Sequence, residues 1–238
     1  MHNAPGEPLL VLKGVHTHIG QYHILQGVDL VVPRGGLSIL LGRNGAGKTT
    51  TMRSIMGIVG KRNGSIRFQG KELIGMAQHK IPRLGIGYVP EERGIFSSLS
   101  VDENLMLPPV VKSGGMTVPQ IYELFPNLQG RGTTQGTRLS GGEQQMLAIG
   151  RILRTGATLI LLDEPTEGLA PVIIEQIGVA VRALKQRGFT ILLVEQNFRF
   201  ASTIADRHYV MEEGHVVDMI PNDQLHANMD KLHTYLGV

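Results

Sequence analysis

Apolar residues recur along the chain in short runs that predict β-strands. Residues 9–32 alternate in two stretches, LLVLKGVHTHI and ILQGVDLVV, which are typical of strands in an antiparallel sheet edge. Continuous apolar runs indicate strands buried on both faces of a parallel sheet. Four such runs are present: LSILLG (37–42), GIGYVP (85–90), TLILLDE (158–164) and FTILLVEQ (189–196). Two further stretches predict a strand with a turn and a closing hairpin: GSIRFQGKEL (64–73) and HYVMEEGHVVD (208–218).

Helical patterns lie between these strands. The segment 171–188 carries apolar residues at positions 173, 174, 177, 181 and 184, which is the spacing of an amphipathic helix. Further helices are predicted over 48–56 and over 143–156, the second ended by Gly156. Because strands and helices alternate, the chain is predicted to form an α/β fold with a mostly parallel sheet in three layers.

The pattern changes between residues 91 and 139, where Pro, Gly, Asn and Thr are frequent and the predicted helices are short. The sequence SVDE (100–103) is a capping box that opens one of them. PQIYELF (119–125) is the second, with Pro119 suited to its first turn. This region is therefore predicted to be an inserted helical subdomain.

Composition limits the class of protein. A chain of 238 residues that is 42% hydrophobic is long enough for one α/β domain with a substantial core. The net charge is only +3 and the basic residues are scattered, which argues against a nucleic-acid partner. No cysteine is present, so disulfides, thiolate metal sites and thiol nucleophiles are excluded.

Targeting signals are also missing from the pattern. The start, MHNAPGEPLLVLKG, lacks the basic and then long apolar order of a signal peptide. No apolar run approaches the roughly 18–20 residues that span a bilayer. The chain is therefore expected in the cytoplasm, either free or peripheral on a membrane.

The sequence GRNGAGKT (42–49) fits the phosphate-loop pattern G-x-x-x-x-G-K-[ST] and stands between a predicted strand and a predicted helix. Glycines let backbone N–H groups approach phosphate oxygens, and the helix N-terminus adds partial positive charge. Lys48 is predicted to reach the β- and γ-phosphates of ATP, and Thr49 to give its hydroxyl to Mg²⁺. The predicted phosphate-binding residues are Gly42, Asn44, Gly45, Ala46, Gly47, Lys48, Thr49 and Thr50.

A pair of carboxylates ends the predicted strand TLILLDE. The carboxyl ends of strands are where such folds place ligands, so Asp163 is predicted to hold Mg²⁺. Glu164 is predicted to orient and polarise the attacking water. A purely structural alternative is that the pair caps the next element.

The sequence LSGGEQQ (139–145) resembles the signature motif of ABC-type ATPases. The resemblance implies a P-loop NTPase (RecA-like) fold with an antiparallel β subdomain and a small helical subdomain. It divides the single domain 1–238 into a core of about 1–91 and 151–238 and a helical part of about 92–150. It also implies a head-to-tail dimer with a second copy or a paralogous subunit. The signature residues would then contact the γ-phosphate held by the other subunit: Ser140, Gly141, Gly142 and Glu143.

Four positions depart from the common pattern of that family. Ile19 replaces the aromatic residue that stacks on adenine, and Tyr22 is the nearest aromatic residue. The alternative for Tyr22 is that it is only a surface residue. Glu91 replaces a glutamine that senses Mg²⁺, and is counted with Thr49 and Asp163 as a metal residue. Ala170 replaces an aspartate that crosses the dimer, and Gln196 replaces the γ-phosphate histidine. A glutamine amide donates a hydrogen bond but cannot become a cation.

Three of these departures, Glu91, Ala170 and Gln196, match one subfamily. The chain closely resembles the ATPase subunit of high-affinity branched-chain amino acid importers and of related urea and amide importers. The resemblance covers about residues 9–237. It rests on the motifs YVPE, GLAP and VEQN, together with YELFPNLQGRG and SGGEQQMLAIGR. The resemblance does not explain Ile19. It implies hydrolysis of Mg·ATP by Glu164, Lys48 and Gln196, on the inner face of the cell membrane.

The same resemblance implies partners. Separate permease subunits would span the membrane, and a solute-binding protein would act through them. Ile95, Phe96 and Leu99 are expected to form an exposed apolar docking patch, with packing inside the insertion as the alternative. Two other functions stay open: a regulatory subunit with little hydrolysis, and a soluble ABC ATPase outside transport.

Overall fold

The computed structural model describes residues 6–237. Residues 1–5 and Val238 lie outside the described range. The first of these segments begins the stretch considered above for a targeting signal. The strands within that range are β1 (Pro8–Ile19), β2 (Tyr22–Pro33), β3 (Leu37–Leu41), β4 (Lys61–Phe68), β5 (Lys71–Glu72), β6 (Ile86–Val89), β7 (Leu159–Asp163), β8 (Thr190–Glu195), β9 (Arg207–Glu212) and β10 (His215–Pro221). The α-helices are α1 (Lys48–Ile55), α2 (Val101–Met106), α3 (Val118–Leu124), α4 (Gly141–Arg154), α5 (Pro171–Gln186), α6 (Phe198–Ser202) and α7 (Met229–Leu236).

The larger sheet has six strands in the order β10-β9-β3-β8-β7-β6. Neighbours from β9 to β6 are parallel, and β10 pairs antiparallel with β9. The mostly parallel sheet predicted from the four apolar runs is therefore confirmed. The closing hairpin is also confirmed, and it extends this sheet beside β3.

Both faces of the large sheet are covered. Along β8, Ile191 and Leu193 pack on the side of α4 and α5, whereas Leu192 and Val194 pack on the side of α1 and the smaller sheet. Because successive strand residues point to opposite faces, a strand that is apolar throughout must be buried on both. The result is the predicted three-layer α/β arrangement.

The smaller sheet is antiparallel, with the order β2-β1-β4-β5. It confirms the edge strands predicted over residues 9–32. It also contains β4, which begins at Lys61, three residues before the strand and turn predicted over 64–73. The short helices α6 and α7 were not predicted, because neither carries a long periodic apolar pattern.

Two short helices, α2 and α3, lie between β6 and α4. The predicted capping box is confirmed: the Ser100 hydroxyl accepts from the backbone N–H of Glu103, and the Glu103 carboxylate accepts from the N–H of Ser100. Helix α4 begins at Gly141, two residues before the predicted start. The division of the chain into a core and a helical subdomain stays a prediction.

The expected apolar patch is only partly exposed. Phe96 is 46% exposed, with the Arg151 guanidinium 4.8 Å above its ring, but Ile95 and Leu99 are half-buried and Ile95 packs against the core. The expectation of three exposed side chains is therefore wrong for two of them. Among the described helices none combines the length and apolarity needed to cross a bilayer.

Candidate active site

The candidate site lies where the parallel strands of the large sheet end. β3 leads into the phosphate loop, β7 ends at Asp163 and β8 ends at Glu195, all at the carboxyl edge of the sheet. β6 ends beside them, just before Glu91. Residues that are far apart in the sequence thus converge on one edge, as expected for ligand sites in this type of fold.

The phosphate loop has a backbone that requires glycine. Gly47 adopts φ 109°, and a Cβ atom there would lie 2.9 Å from side-chain atoms of both Leu25 and Met211. Gly47 also ends the loop as the N-cap residue of α1, with no side-chain cap. The first-turn N–H groups of a helix have no acceptors within it, so those of α1 are free to bind anions.

Lys48 is held against the loop that it follows. Its ammonium donates to the carbonyl oxygens of Gly42 at 2.9 Å and Arg43 at 3.2 Å. It also forms an ion pair with Glu164, with Nζ and Oε1 3.2 Å apart, and both side chains are buried. The predicted phosphate clamp and the predicted base are therefore in direct contact.

Glu164 has an unusual backbone. Its φ of 44° lies in the left-handed region, which costs a non-glycine residue about 1–3 kcal/mol. Its N–H donates to the carbonyl oxygen of Val194 at 3.0 Å, which ties the end of β7 to β8. Its second carboxylate oxygen accepts from Nε2 of Gln196 at 2.7 Å. Glu164 is thus oriented by a cation on one oxygen and an amide on the other.

Asp163 is fully buried and accepts two hydrogen bonds. Thr49 Oγ1 donates to Oδ1 at 3.0 Å and the Tyr88 hydroxyl donates to Oδ2 at 2.9 Å. Burial is the largest influence on Asp163 and raises its pKa, opposed by these two hydrogen bonds. Burial likewise raises the pKa of Tyr88, which keeps that hydroxyl protonated as a donor.

The donors near Asp163 fit Mg²⁺. A carboxylate and a hydroxyl are in contact here, and this ion prefers hard oxygen ligands. Within residues 6–237, no cluster of three or more His, Asp or Glu side chains could hold a metal by itself. Mg²⁺ is commonly bound by one or two carboxylates together with substrate phosphates, which matches this sparse set.

A cleft of about 450 Å³ is lined by Thr49, Lys48 and Glu164. Glu164 and the predicted Glu91 lie in its walls. The phosphate loop and the start of α1 contribute Asn44, Gly45, Gly47, Lys48, Thr49 and Thr50. Two more of its residues, Ile24 and Glu167, were not predicted. A hydrogen bond with Glu164 is the main influence that raises the pKa of Glu167, followed by burial.

The predicted adenine residues do not line this cleft. Ile19 and Tyr22 form the turn of the β1–β2 hairpin and are 45% and 77% exposed. Ile24, two residues further along β2, is the apolar side chain of the cleft wall. The family pattern places Ile19 at the adenine position, and the apolar alternation of β2 is the sequence signal for Ile24. The roles of Ile19 and Tyr22 stay predictions.

The signature residues lie apart from the cleft. The exposed Ser140 is the N-cap of α4: its hydroxyl accepts from the N–H of Glu143, whose carboxylate accepts from the N–H of Ser140. Glu143 is further paired with Arg131 at 3.2 Å. None of the residues that line the cleft in the described chain comes from the predicted signature, Gly141 and Gly142 included. A single chain therefore leaves its phosphate loop without the signature.

Comparison with known proteins agrees with this geometry. A family model described as "ABC transporter" matches residues 25–167. BraG of Pseudomonas aeruginosa, a high-affinity branched-chain amino acid transport ATP-binding protein, is 40% identical over 232 residues, which cover 96% of this chain and 100% of BraG. LivF of Archaeoglobus fulgidus, a probable branched-chain amino acid transport ATP-binding protein, is 35% identical and covers 87% of this chain and 90% of its own.

A solved structure shows the same fold. A nucleotide-free ATP-binding cassette from an ABC transporter superposes with a TM-score of 0.84 at 23% identity, covering 97% of this chain and 99% of its own. A phosphate loop, an acidic strand end and a signature-like helix thus occur together in a chain that matches the family model over residues 25–167 and BraG over 96% of its length. The chain therefore belongs to the ABC transporter family, as one of its ATP-hydrolysing ATP-binding cassettes.

Proposed function

We propose that this cassette energises an importer for amino acids, with branched-chain amino acids as the transported class. The observation that carries the ATPase role is the contact between Lys48 and Glu164 at the edge of the sheet. It puts a cation for the γ-phosphate within 3.2 Å of a carboxylate that can act on water. The import role is supported by the full-length similarity to BraG and LivF.

In the proposed reaction the phosphate loop binds ATP and Lys48 turns from Glu164 toward the β- and γ-phosphates. Glu164, still oriented by Gln196, then accepts a hydrogen bond from the attacking water and draws off its proton. The N–H groups at the start of α1 stabilise the charge on the phosphates. Thr49 and Asp163 would hold Mg²⁺, which supplies positive charge to the phosphate oxygens, and Glu91 lies on the same cleft wall.

We propose that two such cassettes form the working unit. In one chain the signature residues Ser140–Glu143 do not line the phosphate cleft, so the cleft is completed by a partner. The partner is a second copy or a paralogous subunit, placed head to tail. Closure over the nucleotide would exclude bulk water from the γ-phosphate.

We propose that the cassette works at the inner face of the cell membrane, attached to separate permease subunits. A solute-binding protein would act on it indirectly, through the permease. Glu91 and the helical insertion, about 92–138, would form the attachment surface. Phe96 supports this placement, because it is a large apolar side chain that is 46% exposed in that part of the chain.

Reconstitution tests the proposed function. The cassette is purified with its permease subunits, placed in phospholipid vesicles and supplied with the solute-binding protein. We expect leucine, isoleucine or valine to raise the rate of ATP hydrolysis severalfold, because solute binding is coupled to closure of the cassettes. An equal rate with and without permease would contradict the transport role; stimulation by urea or acetamide alone would contradict the solute class.

The same vesicles test the attachment surface. Phe96→Ser is expected to lose most of the stimulation while the isolated cassette keeps its basal rate. Val217→Ser is the matched control, because Val217 is similarly exposed, at 41%, but lies on β10. Equal stimulation in the two variants would exclude Phe96 from the docking contact.

Gln196 gives a separate prediction. Because its amide donates to Glu164 at 2.7 Å, Gln196→Ala should lower turnover by roughly 10- to 1,000-fold, as for loss of one oriented donor at a reacting centre. Gln196→His keeps a donor and should retain hydrolysis. The measurement is steady-state release of inorganic phosphate at saturating Mg·ATP. An alanine variant as active as the wild type would remove Gln196 from the catalytic group.

A further inference from the structure

A buried carboxylate next to the cleft has no part in the reaction described so far. Glu195, the last residue of β8, is 1% exposed. It forms no ion pair with any of the residues 6–237. Burial is the main influence that raises its pKa, and the charge of Glu164 adds to it. Burying a carboxylate without a cation is costly, so an apolar residue would serve better if the position only filled space.

The hydrogen bonds of Glu195 come from two different loops. Oε1 accepts from the hydroxyl of Thr166, in the loop that follows β7. Oε2 accepts from the backbone N–H groups of Gln196 at 3.1 Å and Asn197 at 2.9 Å, after β8. Thr166 is itself 5% exposed, so this junction is closed to solvent. One side chain therefore fixes the relative position of both loops.

These contacts form a closed ring with the catalytic group. Thr166 lies two residues after Glu164, and the N–H of Glu167 donates to the carbonyl oxygen of Glu164 at 3.2 Å, so the loop after β7 is folded on itself. Gln196 starts from the backbone held by Glu195 and reaches back to Glu164 at 2.7 Å. Backbone and hydrogen-bond links therefore connect Glu164 to Thr166, then to Glu195 and Gln196, and Gln196 is hydrogen-bonded to Glu164.

We propose that Glu195 is a positioning residue, which orients Glu164 and Gln196 for hydrolysis by joining the two loops that carry them. The catalytic part of this inference rests on the proposed function. Its structural part, the joining of the loops, does not. An amide at position 195 would keep an acceptor for the two N–H groups and a donor for Thr166, so the function depends on hydrogen bonding and not on charge.

The test compares Glu195→Met, which removes both acceptors at similar length, with Glu195→Gln, which keeps one acceptor for the two N–H groups and offers a donor to the Thr166 hydroxyl. The first measurement is amide hydrogen exchange of the nucleotide-free protein over residues 164–170. We expect exchange about 10-fold faster in Glu195→Met, because hydrogen bonds that close the loop are lost, and near-wild-type exchange in Glu195→Gln. This readout does not require ATP hydrolysis.

The second measurement is the kinetics of ATP hydrolysis. For Glu195→Met we expect kcat to fall by about 10- to 100-fold, as for small misplacement of reacting groups, with KM within about threefold. Glu195→Gln should stay within about threefold of wild type on both constants. Thr190→Val is the matched control: Thr190 is buried at the other end of β8 and accepts from the N–H of Gly35 at 2.8 Å. It should leave loop exchange and kcat unchanged.

The outcomes separate the two ideas. Unchanged exchange over 164–170 in Glu195→Met overturns the positioning role, whatever the hydrolysis rate. Equal loss of kcat in the methionine and glutamine variants overturns it in favour of a charge effect. A wild-type protein that does not hydrolyse ATP contradicts the proposed function alone, since exchange still decides the joining of the loops. If Glu195→Met does not fold, Thr166→Val removes the hydroxyl that donates to Oε1 and should speed exchange in the same loop.

Discussion

Lys48→Met is expected to reduce ATP turnover by about 100-fold or more, since it removes the charged donor that is proposed to bind the β- and γ-phosphates. The methionine side chain has similar length but donates no hydrogen bond. Two carbonyl oxygens and Glu164 hold Lys48 against the phosphate loop, so its ammonium lies beside the cleft from which it would turn to the phosphates. We expect a higher Kd for Mg·ATP as well as a lower kcat, measured by equilibrium binding of a fluorescent ATP analogue and by phosphate release.

Lys48→Met is also expected to lower the stability of the folded protein, and a double variant provides the control for this effect. Glu164 is 8% exposed, and this variant removes the cation paired with that buried carboxylate, which keeps its hydrogen bonds to Gln196 and Glu167. Breaking a buried ion pair by removal of one partner typically destabilises a protein by about 3–5 kcal/mol. The double variant Lys48→Met/Glu164→Gln should therefore unfold at a higher temperature than Lys48→Met alone. The reverse order would show that the ion pair is not formed in solution.

The parts of this site that could be predicted from sequence are those set by local chain geometry. The phosphate loop follows from the glycine spacing around Gly47, and Asp163 and Glu164 follow from the end of an apolar strand. The strands themselves were predictable because β3, β7 and β8 are buried on both faces, which leaves unbroken apolar runs.

The parts that escaped prediction depend on contacts between distant segments. Tyr88 bonds Asp163 across 75 positions and Thr166 bonds Glu195 across 29, and no spacing rule connects either pair. Ile24 lines the cleft, whereas Ile19 lies at the exposed turn of the β1–β2 hairpin. The signature could be recognised from its residues, but its separation from the cleft appears only when the chain is folded.

Glu164→Gln is expected to reduce ATP turnover by roughly 100- to 10,000-fold, the usual contribution of a positioned general base. The glutamine side chain keeps the size of glutamate and one oxygen acceptor, but it cannot take a proton from water. Lys48 and the phosphate loop are unchanged, so Mg·ATP should still bind with a Kd near that of the wild type. Phosphate release and equilibrium binding, measured on the same preparation, test the two parts separately.

The control for this variant is Glu167→Gln, because Glu167 lines the same cleft and is hydrogen-bonded to Glu164. It removes one negative charge from the site but leaves the carboxylate that contacts Lys48 and Gln196. If Glu164 is the base, Glu167→Gln should retain turnover within about 10-fold of wild type, as expected for a group that does not itself transfer the proton. If turnover is lost equally in both variants, the two carboxylates act as one unit and neither is the sole base. If Glu164→Gln hydrolyses ATP at the wild-type rate, the base lies elsewhere in the cleft.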